Sequence, residues 1–321
     1  VSPRRLASID LGTNTVRLLV VETPGDPWRV LHEAQCITRL GEGLARTGRL
    51  AEEAMARTIA VVARYAARAR KLGACTLRII ATSAVREAAN GPSFAATVER
   101  RTGVPVRVVS GEEEAHLTIL GILRGLPDPP DPLLALDIGG GSTELVLAQG
   151  GQVRLAASLR LGVVALAERY PMPGPVEAAR DAALAAEIRT RLAQGVPRAL
   201  REIGVRDLVG TAGTVTTLAA LDLGLPRYDA ARIHGHRLER SALERLRQRI
   251  GALTVGERAA LPCVEPGRAD LLLPGLAVLL GILEVTGADG VVVSEWGLRE
   301  GILVEALRAG VRDPGDRGAR I

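Results

Sequence analysis

Apolar residues fall along this chain in two patterns: short runs broken by glycine–hydroxyl turns, and longer stretches with helical spacing. The clearest short run is Leu134 to Leu147, LALDIGGGSTELVL. Apolar residues surround Asp137, the turn is Gly139, Gly140, Gly141, Ser142 and Thr143, and the apolar run resumes after Glu144. This pattern predicts strand, tight turn, strand. Ala7 to Val20, ASIDLGTNTVRLLV, repeats it: Asp10 falls on Asp137, Gly12 on Gly139 and Thr15 on Ser142, with the apolar flanks in register. Glycine favours turns whatever they bind, so an ordinary hairpin would explain one such stretch. Two of them, one opening each half, signal an internal duplication.

The remaining pattern fills in around these hairpins. Arg29 to Thr38 alternates as a third strand, and Leu50 to Leu72 has helical periodicity with Gly73 as its stop. Leu77 to Ala81 is a short buried strand, after which Thr82 and Ser83 can cap a helix beginning near Ala84. Arg86 then lies in a first turn beside a strand C-terminus, the edge that faces the ligand crevice in open α/β sheets. A cation there opposes the helix dipole, which argues for an outside partner; a solvated surface arginine fits the sequence equally well. Val104 to Val109 is a strand running into Ser110, Gly111, Glu112, Glu113 and Glu114. Ser110 with Glu113 is a capping box, which does not need three glutamates. At least one can point into a cleft as a general base, and the spacing does not say which.

Four prolines in Gly125 to Pro132, GLPDPPDP, mark a connection between domains at 1–127 and 128–297, with 313–321 as a loose tail. Arg154 to Leu161 reads as a strand, and Val176 to Ile203 as a helical region interrupted near Gly195 to Pro197. Leu208, Val209 and Gly210 end a strand, and Thr211, Gly213 and Thr214 make a third glycine–threonine turn leading into a helix, a good anion site. Five arginines within Arg237 to Arg249, at mostly helical spacing, read as a solvated face before they read as a track for a polyanion. Leu271 to Leu283 is apolar but contains Pro274 and is too short to span a bilayer, so it is expected as a buried helix. Gly290 to Ser294 is a last strand and Gly297 to Arg308 a closing helix.

Composition narrows the chemistry. The chain has 321 residues, enough for two domains, and carries a net charge of +5. Lys71 is its only lysine. Arginine forms bidentate bonds to phosphate, although GC-rich codon usage, which also enriches Ala, Gly and Pro, accounts for the larger share of the excess. Aromatics at 2% argue against base stacking, and no sequence-specific nucleic acid or membrane partner is expected. Cys36, Cys75 and Cys263 are scattered, which fits a reducing cytoplasm and argues against a disulfide, zinc or iron–sulfur framework. His234 and His236 have no third ligand nearby. Asp10 interrupts the first apolar run, which therefore does not read as a signal peptide.

The turns themselves point to phosphate. Glycines admit positive φ and remove every Cβ, so consecutive N–H groups can form an anion nest. Ser142 and Thr143 add hydroxyls, and Asp137 at the strand end can hold a cation beside the anion. Phosphate with Mg²⁺ suits such a site.

Taken in order, ASIDLGTNTVRLLV, SGEEEAHLTILG, LALDIGGGSTELVL, GTAGTVTTLAAL, IHGHRL, ADLLLPGLAVL and VSEWGLREGIL resemble the successive motifs of the Ppx/GppA phosphatases, the exopolyphosphatases and guanosine pentaphosphate phosphohydrolases. The resemblance covers almost the whole chain and implies an α/β fold of the short, two-domain form. Two ribonuclease-H-like (actin-like) domains, each with a mixed five-stranded sheet and flanking helices, would surround a central cleft. The final helix, 298–312, would complete the first domain. By motif, Glu114 matches the catalytic carboxylate and Arg86 the arginine after the small-residue turn. Asp137, Glu144 and Asp10 match acids at a divalent metal, Mg²⁺ or another such as Mn²⁺. Phosphate binding is implied for Gly12, Thr13, Asn14, Thr15 and Arg17 in the first hairpin. In the second it falls to Gly139, Gly140, Gly141, Ser142 and Thr143, and in the third turn to Gly210, Thr211, Gly213 and Thr214. Trp296 stands where many members carry another aromatic. The implied activity is release of the terminal phosphate of inorganic polyphosphate, or of guanosine pentaphosphate, by a homodimer. An ATP-using kinase and a non-catalytic sensor of polyphosphate or an alarmone are the competing readings.

Overall fold

The computed structural model describes residues 4–23 and 28–311; the tail expected over 313–321 lies outside them. The first sheet comprises β1 (Arg4–Leu11), β2 (Thr15–Thr23), β3 (Arg29–Ile37), β4 (Thr76–Ala81) and β5 (Val106–Val108). Its order is β3-β2-β1-β4-β5, with the hairpin strands antiparallel and β4 and β5 parallel to β1. The second comprises β6 (Leu133–Ile138), β7 (Thr143–Gln149), β8 (Gln152–Leu159), β9 (Asp207–Thr211), β10 (Arg237–Glu239) and β11 (Gly290–Val293), in the order β10-β11-β9-β6-β7-β8. Read outward from β6, the strands β8-β7-β6-β9-β11 repeat the first sheet's topology. The duplication extends to single bonds: Gly12 N donates to Thr15 O at 3.1 Å, and Gly139 N donates to Ser142 O at 2.9 Å.

The second sheet has six strands rather than the expected five. The extra strand is β10, antiparallel to β11, and it corrects the helical reading of Arg237. Leu238 is buried in the sheet, while Arg237 turns outward onto Asp207, with nitrogen–oxygen distances of 2.8–3.0 Å. The helix that follows starts only at Arg240 (Arg240–Gly251), and its Arg247 is paired with Asp181 at 2.6 Å. Several arginines of this stretch are thus held by carboxylates of their own chain.

Two long helices join the halves. Gly111–Gly125 packs on the second sheet, burying Ala115, Ile119 and Ile122 against Leu133, Ala135 and Val146. Leu298–Val311 packs on the first, with Leu303 and Val304 against Leu6, Leu19 and Val21. The helices cross in backbone contact. A Cβ at Gly121 would lie 1.9 Å from Gly297 O, and one at Gly301 would lie 1.7 Å from Leu117 O, so neither position has room for a side chain. The apolar stretch near residue 271 forms Leu272–Thr286, a core helix ended by Gly287 in the left-handed conformation. The segment Pro266–Thr286 is long and apolar enough to cross a membrane, but it is mostly buried inside the protein.

Candidate active site

The two glycine hairpins face each other and touch. A Cβ at Gly140 would stand 3.2 Å from both the Cβ and the backbone nitrogen of Asn14. At Gly141 it would stand 2.5 Å from Thr13 Oγ1 and 2.3 Å from Ser83 Oγ. This corrects the reason for the glycines. Gly12, Gly139, Gly140 and Gly141 do not adopt positive φ; the close approach of the two lobes leaves no room for a Cβ at Gly141 and crowds one at Gly140. In the third turn the residue with positive φ is Ala212, at +69°, a left-handed conformation that costs a non-glycine roughly 1–2 kcal/mol.

Beside the hairpins lies a cavity of about 620 Å³. It is lined by Asp10, Gly12, Thr13, Asn14, Thr15 and Arg17 of the first lobe, by Asp137 and Gly139 to Ser142 of the second, and by Thr211, Gly213, Thr214 and Glu114. Four expected residues do not line it. Gly210 is inside β9, where its carbonyl accepts from Ser294 N at 2.7 Å. The Thr143 hydroxyl is fully buried and donates to Leu161 O at 2.6 Å, bracing the turn from behind. Glu144 is paired in register with Asp137 and accepts from Ser158 Oγ at 2.8 Å. Arg86 lies behind Glu114. Its Nη1 donates to Glu114 Oε2 at 3.0 Å and to Val109 O at 2.8 Å, so it is not a free surface arginine. The helix carrying it, Ser83–Glu87, lacks the expected side-chain cap: Thr82, at the N-cap position, turns its hydroxyl to Leu11 O at 3.4 Å, and Ser83, already inside the helix, donates to Glu87 at 2.7 Å.

The ambiguity among the three glutamates resolves through the capping box. Ser110 N donates to Glu113 Oε2 at 2.8 Å and Glu113 N donates to Ser110 Oγ at 3.1 Å, which ties Glu113 to the helix end. Glu112 is exposed, and Glu114, one position further round the helix, is buried against the cavity. Burial pushes the Glu114 carboxyl up to about 8, with Asp137 and Asp10 adding to the rise and Arg86 opposing it. Burial likewise raises Asp10 and Asp137, each to about 6, against the pull of Arg17. Glu144 is raised well above the usual range by burial and then by Glu114 and Asp137. Four carboxyls thus stand together in a buried site where ionisation is resisted, and a bound cation would favour their charged forms. Asp10 Oδ1 is buried without a hydrogen-bond partner. An all-oxygen donor set with a spare buried oxygen fits a hard divalent cation. The described residues offer no ready-made cluster of three metal-binding side chains, so water or ligand oxygens would complete such a shell.

Two arginines converge on the third turn, one of them Arg17, the cross-strand partner of Asp10. A Cβ at Gly213 would lie 2.1 Å from Arg268 Nη1 and 3.0 Å from Arg17 Nη2. Arg268 is almost fully buried and donates to Gly213 O at 3.1 Å, whereas half-buried Arg17 makes no hydrogen bond or ion pair among the described residues. Paired guanidinium groups beside a helix N-terminus (Ala212–Asp222) suit a multiply charged anion. Sequence reasoning missed Arg268. The motif ADLLLPGLAVL begins one residue beyond it, and the one available signal was a lone arginine before an apolar helix.

Twin actin-like lobes, with matched hairpins meeting over a cavity of acids and arginines, define a phosphate-handling enzyme of the actin-like class. The profile of the Ppx/GppA phosphatase family matches residues 19–309, and the chain belongs to that family. It is 35% identical over 311 residues to exopolyphosphatase 2 of Mycobacterium tuberculosis, covering 93% of this chain and 97% of that protein. The crystal structure of the Aquifex aeolicus Ppx/GppA family member is 31% identical with a TM-score of 0.80, covering 96% of this chain and 99% of that one. An exopolyphosphatase from Cytophaga hutchinsonii superposes with a TM-score of 0.88 at 25% identity, over 95% and 98% of the two chains. The protein is a phosphatase.

Proposed function

We propose that this protein is an exopolyphosphatase that hydrolyses the terminal phosphoryl group of inorganic polyphosphate. The observation that carries the reading is the contact between the two hairpins, with Glu114 in the same cavity. The turns and the hydroxyls of Thr13, Thr15 and Ser142 grip the terminal unit, and Arg17 and Arg268 hold the units behind it. Glu114, in its ionised form, takes a proton from a water whose oxygen bonds to phosphorus as the bridging P–O bond breaks. Orthophosphate leaves, and the chain is one unit shorter. Arg86 aligns the Glu114 carboxylate through its 3.0 Å hydrogen bond. Asp10 and Asp137, with Glu144 behind them, would hold Mg²⁺ or Mn²⁺, which supplies charge neutralisation to the phosphate oxygens when bound. Free thiols at Cys36, Cys75 and Cys263 fit a reducing cytoplasm, and a homodimer is the proposed assembly.

Guanosine pentaphosphate is the second reading, favoured by Tyr228. Its ring is half exposed on the cavity wall, and its hydroxyl is anchored to Glu295 at 2.5 Å, which offers a fixed face to a base. Purified protein with Mg²⁺, offered polyphosphates of several lengths and guanosine pentaphosphate side by side, tests both by orthophosphate release. Faster release from polyphosphate supports the first reading. Preference for the nucleotide supports the second, and release from neither overturns both.

A further inference from the structure

One residue outside the acid–arginine cavity is bonded both to a phosphate hairpin and to the opposite lobe. Arg39 follows β3 and has a left-handed φ of +50°, a conformation that L-residues hold only when their surroundings enforce it. Its backbone N–H and that of Thr38 both donate to Asn14 O at 2.9 Å. Two residues on, Gly41 N donates to Thr13 O at 2.8 Å, and a Cβ at Gly41 would come within 2.3 Å of Thr13 Cγ2. The segment from 38 to 41 is therefore moulded onto the tip of the first hairpin.

The Arg39 side chain points the other way, into the second lobe. Its Nη2 lies 2.7 and 2.8 Å from the two carboxylate oxygens of Asp270 and 3.2 Å from Gly267 O. Asp270 and Gly267 belong to the 3-10 turn Pro266–Leu271, which also carries Arg268. Two further ties run alongside: Gln35 donates to Glu265 at 2.9 Å and Gly43 N to Glu168 at 2.8 Å. The chain thus runs without a break from Thr13 and Asn14, through Arg39 and Asp270, to Arg268 and Gly213.

We propose that Arg39 and Asp270 are positioning residues: their bridge sets the spacing between the first phosphate hairpin and the Arg268 wall, and with it the grip on a phosphate chain. This rests on the reading of the cavity as a polyphosphate site. Neither residue touches the reacting atoms. Both side chains are about one-third exposed, so the bridge adds little to global stability and acts on the relative placement of the lobes.

The test compares Arg39→Ala, Asp270→Ala, the double alanine variant and the exchanged pair R39D/D270R. The measurements are KM and kcat for orthophosphate release, thermal midpoint, and the radius of gyration of substrate-free protein by solution X-ray scattering. Each single variant is expected to lose roughly 10-fold to 100-fold in kcat/KM, mostly through KM, with an almost unchanged thermal midpoint and a larger radius. The double variant should be no worse than either single one, and the exchanged pair should recover part of the loss. Unchanged KM in the single variants, or losses that multiply in the double variant, would overturn the proposal. Should the wild type prefer guanosine pentaphosphate, the same series is read with that substrate. Should it hydrolyse neither, the functional reading fails, and the radius decides this one: equal radii in wild type and variants overturn it.

Discussion

Gly140 of one lobe packs against Asn14 of the other so closely that a Cβ on the glycine would meet the asparagine's backbone nitrogen at 3.2 Å. The hairpins therefore act as one surface. Gly141 is tighter still, with 2.3 Å to Ser83 Oγ. Gly141→Ala should push the hairpins apart and lower kcat/KM by about 10²-fold, the usual cost of misplacing a grip by about an ångström. Because the displaced atoms border a cavity, unfolding free energy should change by no more than about 1–3 kcal/mol. Steady-state kinetics with urea denaturation of the same variant separates the two effects.

Glu114→Gln preserves the shape of the side chain and removes its capacity to accept a proton. Turnover should fall roughly 10²-fold or more while polyphosphate binding, followed by competition with a labelled chain, is retained. Wild-type turnover in this variant would remove Glu114 from the proposed role.

The raised carboxyls make a pH prediction for metal-free protein. Glu114 is held near 8 when folded and near 4.5 when unfolded, so between those values the native state binds the extra proton. Stability therefore falls as pH rises across that window, and Asp10 and Asp137 add their own loss between about 3.8 and 6. Denaturation at pH 5 and pH 8 should show the wild type weaker at pH 8. Glu114→Gln should flatten the slope by an amount on the order of 2 kcal/mol. Added Mg²⁺ should raise the melting temperature more at pH 8 than at pH 5, because it binds ionised carboxylates of the native state.

At the helix crossing, Gly301→Ala places a methyl carbon 1.7 Å from Leu117 O, with backbone on both sides and no flexible side chain to yield. A loss of about 2–4 kcal/mol in unfolding free energy is expected, measured by chemical denaturation. An exposed alanine replacement such as Glu53→Ala should change stability by less than about 0.5 kcal/mol.

Much of this was legible in the residues, for identifiable reasons. The hairpins announce themselves because Asp, Gly and hydroxyl residues recur at fixed offsets between apolar runs, which is local information. The capping box is equally local and assigns Glu113 to the helix end, but the choice between Glu112 and Glu114 rests on the family motif until burial of Glu114 against the cavity decides it. What escaped depends on distant partners. β10 has only three residues and one buried side chain, Leu238, too few to show alternation, and it exists because β11 offers an open edge. Arg268 and Arg39 are ordinary arginines until Gly213 and Asp270 are brought beside them. Glycine spacing also left open whether those positions serve backbone torsion or close contact, and the hairpins use the second.

The two crossing helices bear on how the chain can be divided. Gly111–Gly125 precedes the proline-rich connection yet covers the later sheet, and Leu298–Val311, at the far end, covers the earlier one. A cut at the prolines would leave each fragment holding the other's lid, with Leu6, Leu19 and Val21 bare in one piece and Leu133, Ala135 and Val146 bare in the other. Despite its internal repetition, the protein is interlocked like a clasped pair of hands, and its halves should regain order only when mixed.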